Sequence, residues 1–209
     1  MYEKVLLGDI VEREKVNNKM ALRLMIKKIA ETVMHEISFN TLAGNVKATG
    51  AKTSTDAMID YSSYAENAYL LFRNKNYVSK FAQKESTPRF YFYDNGLLSL
   101  FLVDKPSALL ENAVAVYLKR RYGEEVYYFK SMKTGIDIDF YLPEEKCAIQ
   151  VAYSIETAEE RETKSLISFA EKTAGTNRLI IVTNEEERTI TKDGLTIEVI
   201  PVYKFILDN

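Results

Sequence analysis

One stretch constrains this chain more than any other: a helix-forming segment at 107–121, stopped by Gly123, followed by strand-forming segments at 136–142 and 146–153. The first strand reads Gly135-Ile136-Asp137-Ile138-Asp139-Phe140 and the second Cys147-Ala148-Ile149-Gln150-Val151-Ala152-Tyr153, with Pro143-Glu144-Glu145 turning between them. Alternation puts Asp137 and Asp139 on one face of the first strand, and Gln150 and Ala152 on one face of the second. On the helix, Glu111 falls between Leu110 and the apolar Ala113, Val114 and Val116, near the buried side. A helix-borne acid and a strand-borne acid are therefore expected to converge beside a neutral amide.

Around this stretch the pattern is mixed α/β. Further strands are expected at 125–130 and 178–183, with turns at Lys133-Thr134-Gly135 and at Asp193-Gly194, the latter a strong hairpin signal. Thr157-Ala158-Glu159-Glu160 reads as a capping box opening a helix that turns Leu166, Ile167, Phe169 and Ala170 inward until Gly175, and 203–207 closes as a short helix.

The first half reads differently. Residues 1–19 are charged, with Leu6, Leu7, Ile10 and Val11 as a short apolar stripe, and resemble the end of something larger. Residues 20–37 repeat Leu22, Met25, Ile26, Ile29, Val33 and Ile37 at helical spacing. Asn40 is placed to cap a second helix, and Thr53-Ser54-Thr55-Asp56 a third carrying Met58, Tyr61, Tyr64, Ala65 and Ala68 inward. A strand at 69–72, a turn at Asn74-Lys75-Asn76 and a return at 77–79 complete the order of a winged helix-turn-helix. The polar, broken 80–88 is the expected boundary. The fold class is thus α+β: a connector at 1–19, a winged helix-turn-helix at 20–85 and an α/β domain at 86–209.

With 209 residues, 46% of them hydrophobic, the chain can bury a substantial core. One cysteine and one histidine exclude both an internal disulfide and a Cys/His zinc site, which points to a reducing cytoplasm. No leader or spanning segment is evident, so no membrane is expected. A net charge of −2 leaves nucleic-acid binding to a local patch.

Carboxylates from a helix and two neighbouring strands, with a lysine beside the attacking water, are what a magnesium-dependent phosphodiester cutter assembles. Asp137 and Asp139 share the strand face that would line such a site; resemblance to restriction-type nucleases implies Glu111, Asp139 and Gln150 as the catalytic positions, and Glu111 and Asp139 as the ligands for Mg2+. Gln150 and Ala152 stand where Glu and Lys are required, so the α/β domain reads as a restriction-endonuclease-like fold of the PD-(D/E)XK type with a vestigial site. Lys130 and Lys133 are the lysines near enough in sequence to migrate in. In the first half, Lys47, Lys52, Thr53, Ser54 and Thr55 gather at the third helix's N-terminus, where amides and hydroxyls meet phosphates, and Arg73 and Lys75 make the wing basic. Asp56 and Asp60 on the same helix oppose duplex DNA, and a protein partner is the rival. Gly44, Gly50, Lys52 and Thr53 do not form a phosphate-binding loop, because the spacing is wrong and a helix precedes them. His35 reads as a helix-end residue and Cys147 as a small apolar strand residue.

Leu7-Gly8-Asp9-Ile10-Val11-Glu12-Arg13, Tyr64-Ala65-Glu66-Asn67-Ala68-Tyr69-Leu70-Leu71-Phe72, Arg89-Phe90-Tyr91-Phe92-Tyr93-Asp94-Asn95-Gly96-Leu97, Leu109-Leu110-Glu111-Asn112, Gln150-Val151-Ala152-Tyr153 and Val199-Ile200-Pro201-Val202-Tyr203 follow one another in an order that resembles the C-terminal region of prokaryotic AAA-type ATPases. Gly8 departs from it, since many relatives carry arginine there. The resemblance implies a winged helix and nuclease-like domain following an ATPase domain supplied in cis. It implies a non-catalytic DNA- or protein-binding regulatory region. The alternatives are an active magnesium-dependent DNA nuclease and an oligomerisation or adaptor module working as a homo-oligomer.

Overall fold

The computed structural model describes residues 2–156, 158–173 and 175–208, and divides into two compact units. The first comprises residues 1–74 and 81–105, the second 75–80 and 106–209. The division falls at Lys105 and Pro106, later than the boundary expected at 80–88. The reason is that strand β2 (Arg89–Phe92) pairs antiparallel with the first four residues of β1 (Leu71–Asn76) and so belongs with the helices before it.

In the first unit, α1 (Tyr2–Lys4) and a π-helical turn (Val5–Glu12) bury Leu6, Ile10 and Val11. Helix α2 (Lys19–Glu31) is capped by Asn18, whose side chain accepts from the Ala21 amide. Its buried stripe is Leu22, Met25, Ile26 and Ile29, but it stops at Glu31 instead of reaching residue 37. There the Thr32 hydroxyl bonds back to the Lys28 and Ile29 carbonyls, and Met34 adopts a φ of 80°, which no helix accommodates. Helix α3 (Phe39–Ala48) is capped by Ser38, not Asn40. Helix α4 (Thr55–Asn67) is capped by Ser54, one residue later than the box placed it. The inner side of α4 is Met58, Tyr61, Ser62 and Ala65, with Tyr64 and Ala68 half-buried.

The expected turn at Asn74-Lys75-Asn76 is strand. Those residues extend β1, and the strand that returns beside it is β2, after α5 (Phe81–Ser86), rather than 77–79. Helix α6 (Asn95–Ser99), capped by Asp94, completes this unit.

The second unit is a mixed sheet flanked by helices. After α7 (Pro106–Tyr122) come β3 (Tyr127–Ser131), β4 (Ile136–Leu142), β5 (Cys147–Val151), α8 (Glu159–Lys172), β6 (Arg178–Thr183), β7 (Arg188–Lys192), β8 (Leu195–Pro201) and α9 (Val202–Asp208). The strands lie in the order β3, β4, β5, β6, β8, β7. Lys75 and Asn76 pair parallel with Tyr127 and Tyr128 at the β3 edge. β5, β6 and β8 run parallel, and α8 makes the crossover from β5 to β6. Ala148 of β5 and Ala152 just beyond it pack with Leu166, Ile167 and Phe169 of α8, while Cys147 and Ile149 line the other face with Tyr117 and Leu118 of α7 and Phe205 of α9. Lys192 and Leu195 pair across Asp193 and Gly194, both at positive φ, as a two-residue hairpin turn requires. Thr157, of the expected capping box, lies outside the described residues. Among the described residues no helix is long and apolar enough to cross a membrane.

Candidate functional site

The paired register of β4 and β5 ends at Phe140 and Ile149, yet β5 continues to Val151 beside β6. The β3–β4 register shifts within the same stretch, the mark of a bulge that bends β4 away. Side chains take over where the ladder ends. Gln150 Oε1 accepts from the Asp139 backbone N–H at 2.7 Å, and its Nε2 donates to the Asp137 carbonyl at 3.0 Å and to Glu162 Oε2 at 2.8 Å. Asp139 Oδ2 in turn accepts from the Val151 backbone N–H at 2.9 Å. Both hydrogens of the Gln150 amide are committed, as is its oxygen.

Glu162 joins this group from the first turn of α8. It is 4% exposed, as is Gln150, and its Oε1 accepts from Arg161 Nε at 2.8 Å and from Arg161 Nη2. The hydrogen bond that Arg161 donates to Glu162, then the charge of Glu162, raise the Arg161 pKa above its ordinary value; burial opposes them, and the charge of Asp139 adds a weaker pull in the same direction. Glu162 was not among the expected site residues. Its signal was spacing: Glu162 lies four residues before Leu166 and so on the buried stripe of its helix.

The expected site residues fare unequally. Asp139 and Gln150 are brought together. Glu111, 1% exposed, sits on α7, which packs against β5, and the helix carboxylate hydrogen-bonded to Gln150 is Glu162. Ala152 is buried among the apolar residues under α8, and its backbone N–H reaches the Val182 carbonyl. Lys130 is paired with Asp137 across β3 and β4 at 3.6 Å. The donor set does not fit magnesium. A committed amide stands where an anionic ligand is needed, and among the described residues no three His, Cys, Asp or Glu side chains are gathered to hold a metal ion.

In the first unit, Lys47 at the end of α3 and Lys52 within the α3–α4 connection are exposed. The Ser54 hydroxyl accepts from the Ala57 N–H and Thr55 Oγ1 donates to Asn40 Oδ1, so both are engaged within the fold, while Thr53 Oγ1 is buried. Arg73 is held by Glu66, its Nε at 2.8 Å and its Nη2 at 2.6 Å, which removes it from a basic wing. Lys75 belongs to the second unit.

On the opposite face, Cys147 is buried, and desolvation pushes its thiol up to about 12 from an ordinary 9.0. Burial thus disfavours the thiolate that a nucleophile needs. His35 is exposed in the turn after α2, its backbone N–H bonded to Thr32.

Comparison with known proteins agrees with the division of the chain. Residues 107–205 match a domain of unknown function, DUF4143. An uncharacterized protein of Methanocaldococcus jannaschii is 29% identical over 210 residues, covering 95% of this chain and 47% of its own length. An uncharacterized protein of Haemophilus influenzae is 25% identical over 211 residues, covering 99% of this chain and 51% of its own length. The chain thus spans about half the length of these curated relatives. Residues 1–108 match a further domain of unknown function, and through them the chain belongs to the DUF8612 family.

Proposed function

We propose that this chain is a non-catalytic regulatory region, built as a winged helix-turn-helix followed by a restriction-endonuclease-like unit whose catalytic positions now serve the fold. The observation that carries this reading is the Gln150 amide. It closes the divergence of β4 and β5 by bonding Asp139, Asp137 and Glu162, at the position where a cutting enzyme places a metal-binding carboxylate. Ala152, two residues on, offers no charge to orient water.

The region acts by binding. Lys47, in the last turn of α3, and Lys52, in the connection that leads into α4, are the groups that would meet the phosphates of duplex DNA. The engagement of Arg73 by Glu66 narrows that footprint, which favours a protein surface as the principal partner. An ATPase domain of the AAA type, in cis in longer relatives, is the partner the sequence resemblance suggests. Gel-shift titration of the folded chain with duplex DNA at rising salt tests the DNA half of the proposal. Binding that weakens steeply with salt supports it. No binding at low salt removes DNA and leaves the protein partner.

A further inference from the structure

Carboxylates at the β4–β5 divergence need a positive partner, and the chain supplies one. Glu162 is 4% exposed, and a carboxylate so far from water persists only with hydrogen bonds and a counter-charge. Gln150 gives a neutral donor to one oxygen, and Arg161 gives a charged donor to the other. Arg161 and Glu162 are consecutive residues of α8, and consecutive helical side chains ordinarily diverge. Here the guanidinium folds back onto its neighbour although the Arg161 side chain remains 78% exposed and water is at hand. Holding a long surface side chain in one conformation costs entropy, so the local negative charge is what draws it there. Half-buried Asp139 adds its charge from β4 at longer range, more weakly than Glu162. The other charged neighbours on β3 and β4, Lys130 and Asp137, are paired with each other.

We infer that Arg161 is the resident counter-cation of Asp139 and Glu162, neutralising them from within the chain as a bound divalent cation would, and thereby closing that position to one. This rests on the non-catalytic reading of the second unit. Its consequence is a fold indifferent to divalent metal while the guanidinium is in place, whereas its removal leaves Glu162 and Asp139 short of a positive charge that a hydrated divalent cation can supply without a built ligand set.

The test compares thermal unfolding of the full chain, Arg161→Gln, Arg161→Lys and the double variant Arg161→Gln with Asp139→Asn. Each is melted in chelator, in millimolar Mn2+ and in NaCl of matched ionic strength. The wild type is expected to melt at one temperature in all three. Arg161→Gln is expected to melt about 2–4 °C lower in chelator and to recover most of the loss in Mn2+ but not in NaCl. Arg161→Lys should follow the wild type, and the double variant should gain nothing from Mn2+. An unchanged melt for Arg161→Gln, a loss that Mn2+ fails to recover, or recovery that survives Asp139→Asn overturns the inference. Should Arg161→Gln not fold, Mn2+ titration of the wild type followed by electron paramagnetic resonance decides: micromolar binding overturns the inference, and its absence supports it. DNA cleavage assayed in parallel separates the two claims. An inert wild type with a metal-indifferent variant overturns only the role of Arg161, whereas cleavage by the wild type overturns the reading beneath it.

Discussion

Gln150 and Glu162, each 4% exposed, meet through a 2.8 Å hydrogen bond from the amide Nε2 to the carboxylate Oε2. That bond ties β5 to α8 at the point where β5 loses its backbone pairing with β4. The neutrality of residue 150 is therefore a structural requirement. A second carboxylate there would face Glu162 and the Asp137 carbonyl with no hydrogen to give either.

Gln150→Glu is accordingly expected to destabilise the chain by about 3 kcal/mol, the scale for setting like charges in a buried hydrogen-bonded network. Urea denaturation measures it. A variant within about 0.5 kcal/mol of the wild type, the range of an ordinary surface substitution, would show that the amide is incidental.

Asn76 plays the same part at the other side of the sheet. Its Nδ2 donates to the Lys130 carbonyl at 2.8 Å and its Oδ1 accepts from the Lys130 N–H at 3.1 Å, as a backbone peptide would. Asn76→Ala should cost about 1–2 kcal/mol and accelerate hydrogen exchange at the Lys130 amide. Unchanged exchange there would contradict the surrogate role.

Much of this architecture was legible in residue types. Asp193-Gly194 can take positive φ at both positions and so fixed a hairpin, and Arg178 to Thr183 showed an unbroken apolar run because β6 is central. Less legible were polar residues that the fold buries. Asn74-Lys75-Asn76 carries turn-forming residues, yet Asn74 and Asn76 are buried strand positions. Glu162 resembles the solvated acids usual in a first helical turn, and only its register with Leu166 marks it as inward. Helix ends misplaced by one or two residues reflect a choice among neighbouring hydroxyls and amides that local sequence leaves open, as with Ser38 and Asn40.

Buried Cys147 should resist thiol reagents in the native state at pH 8 and react fully in denaturant. Because its folded pKa is raised, its contribution to stability is complete below pH 9 and declines as pH rises toward about 12. Cys147→Ala should flatten the decline of stability with pH in that window. Stoichiometric native labelling at pH 8 would refute the burial.

If the first unit contacts DNA, Lys47→Ala with Lys52→Ala should lower the salt dependence of binding by about two counterion units, while Arg73→Ala should leave it unchanged because Glu66 already holds that guanidinium. A larger effect from Arg73→Ala would relocate the interface.

The most direct test of the central claim is incubation of supercoiled and linear duplex DNA with the folded chain in Mg2+ and in Mn2+, beside Asp139→Ala. No cleavage above buffer by either protein is the expected result. Metal-dependent cleavage by the wild type that Asp139→Ala abolishes would contradict it.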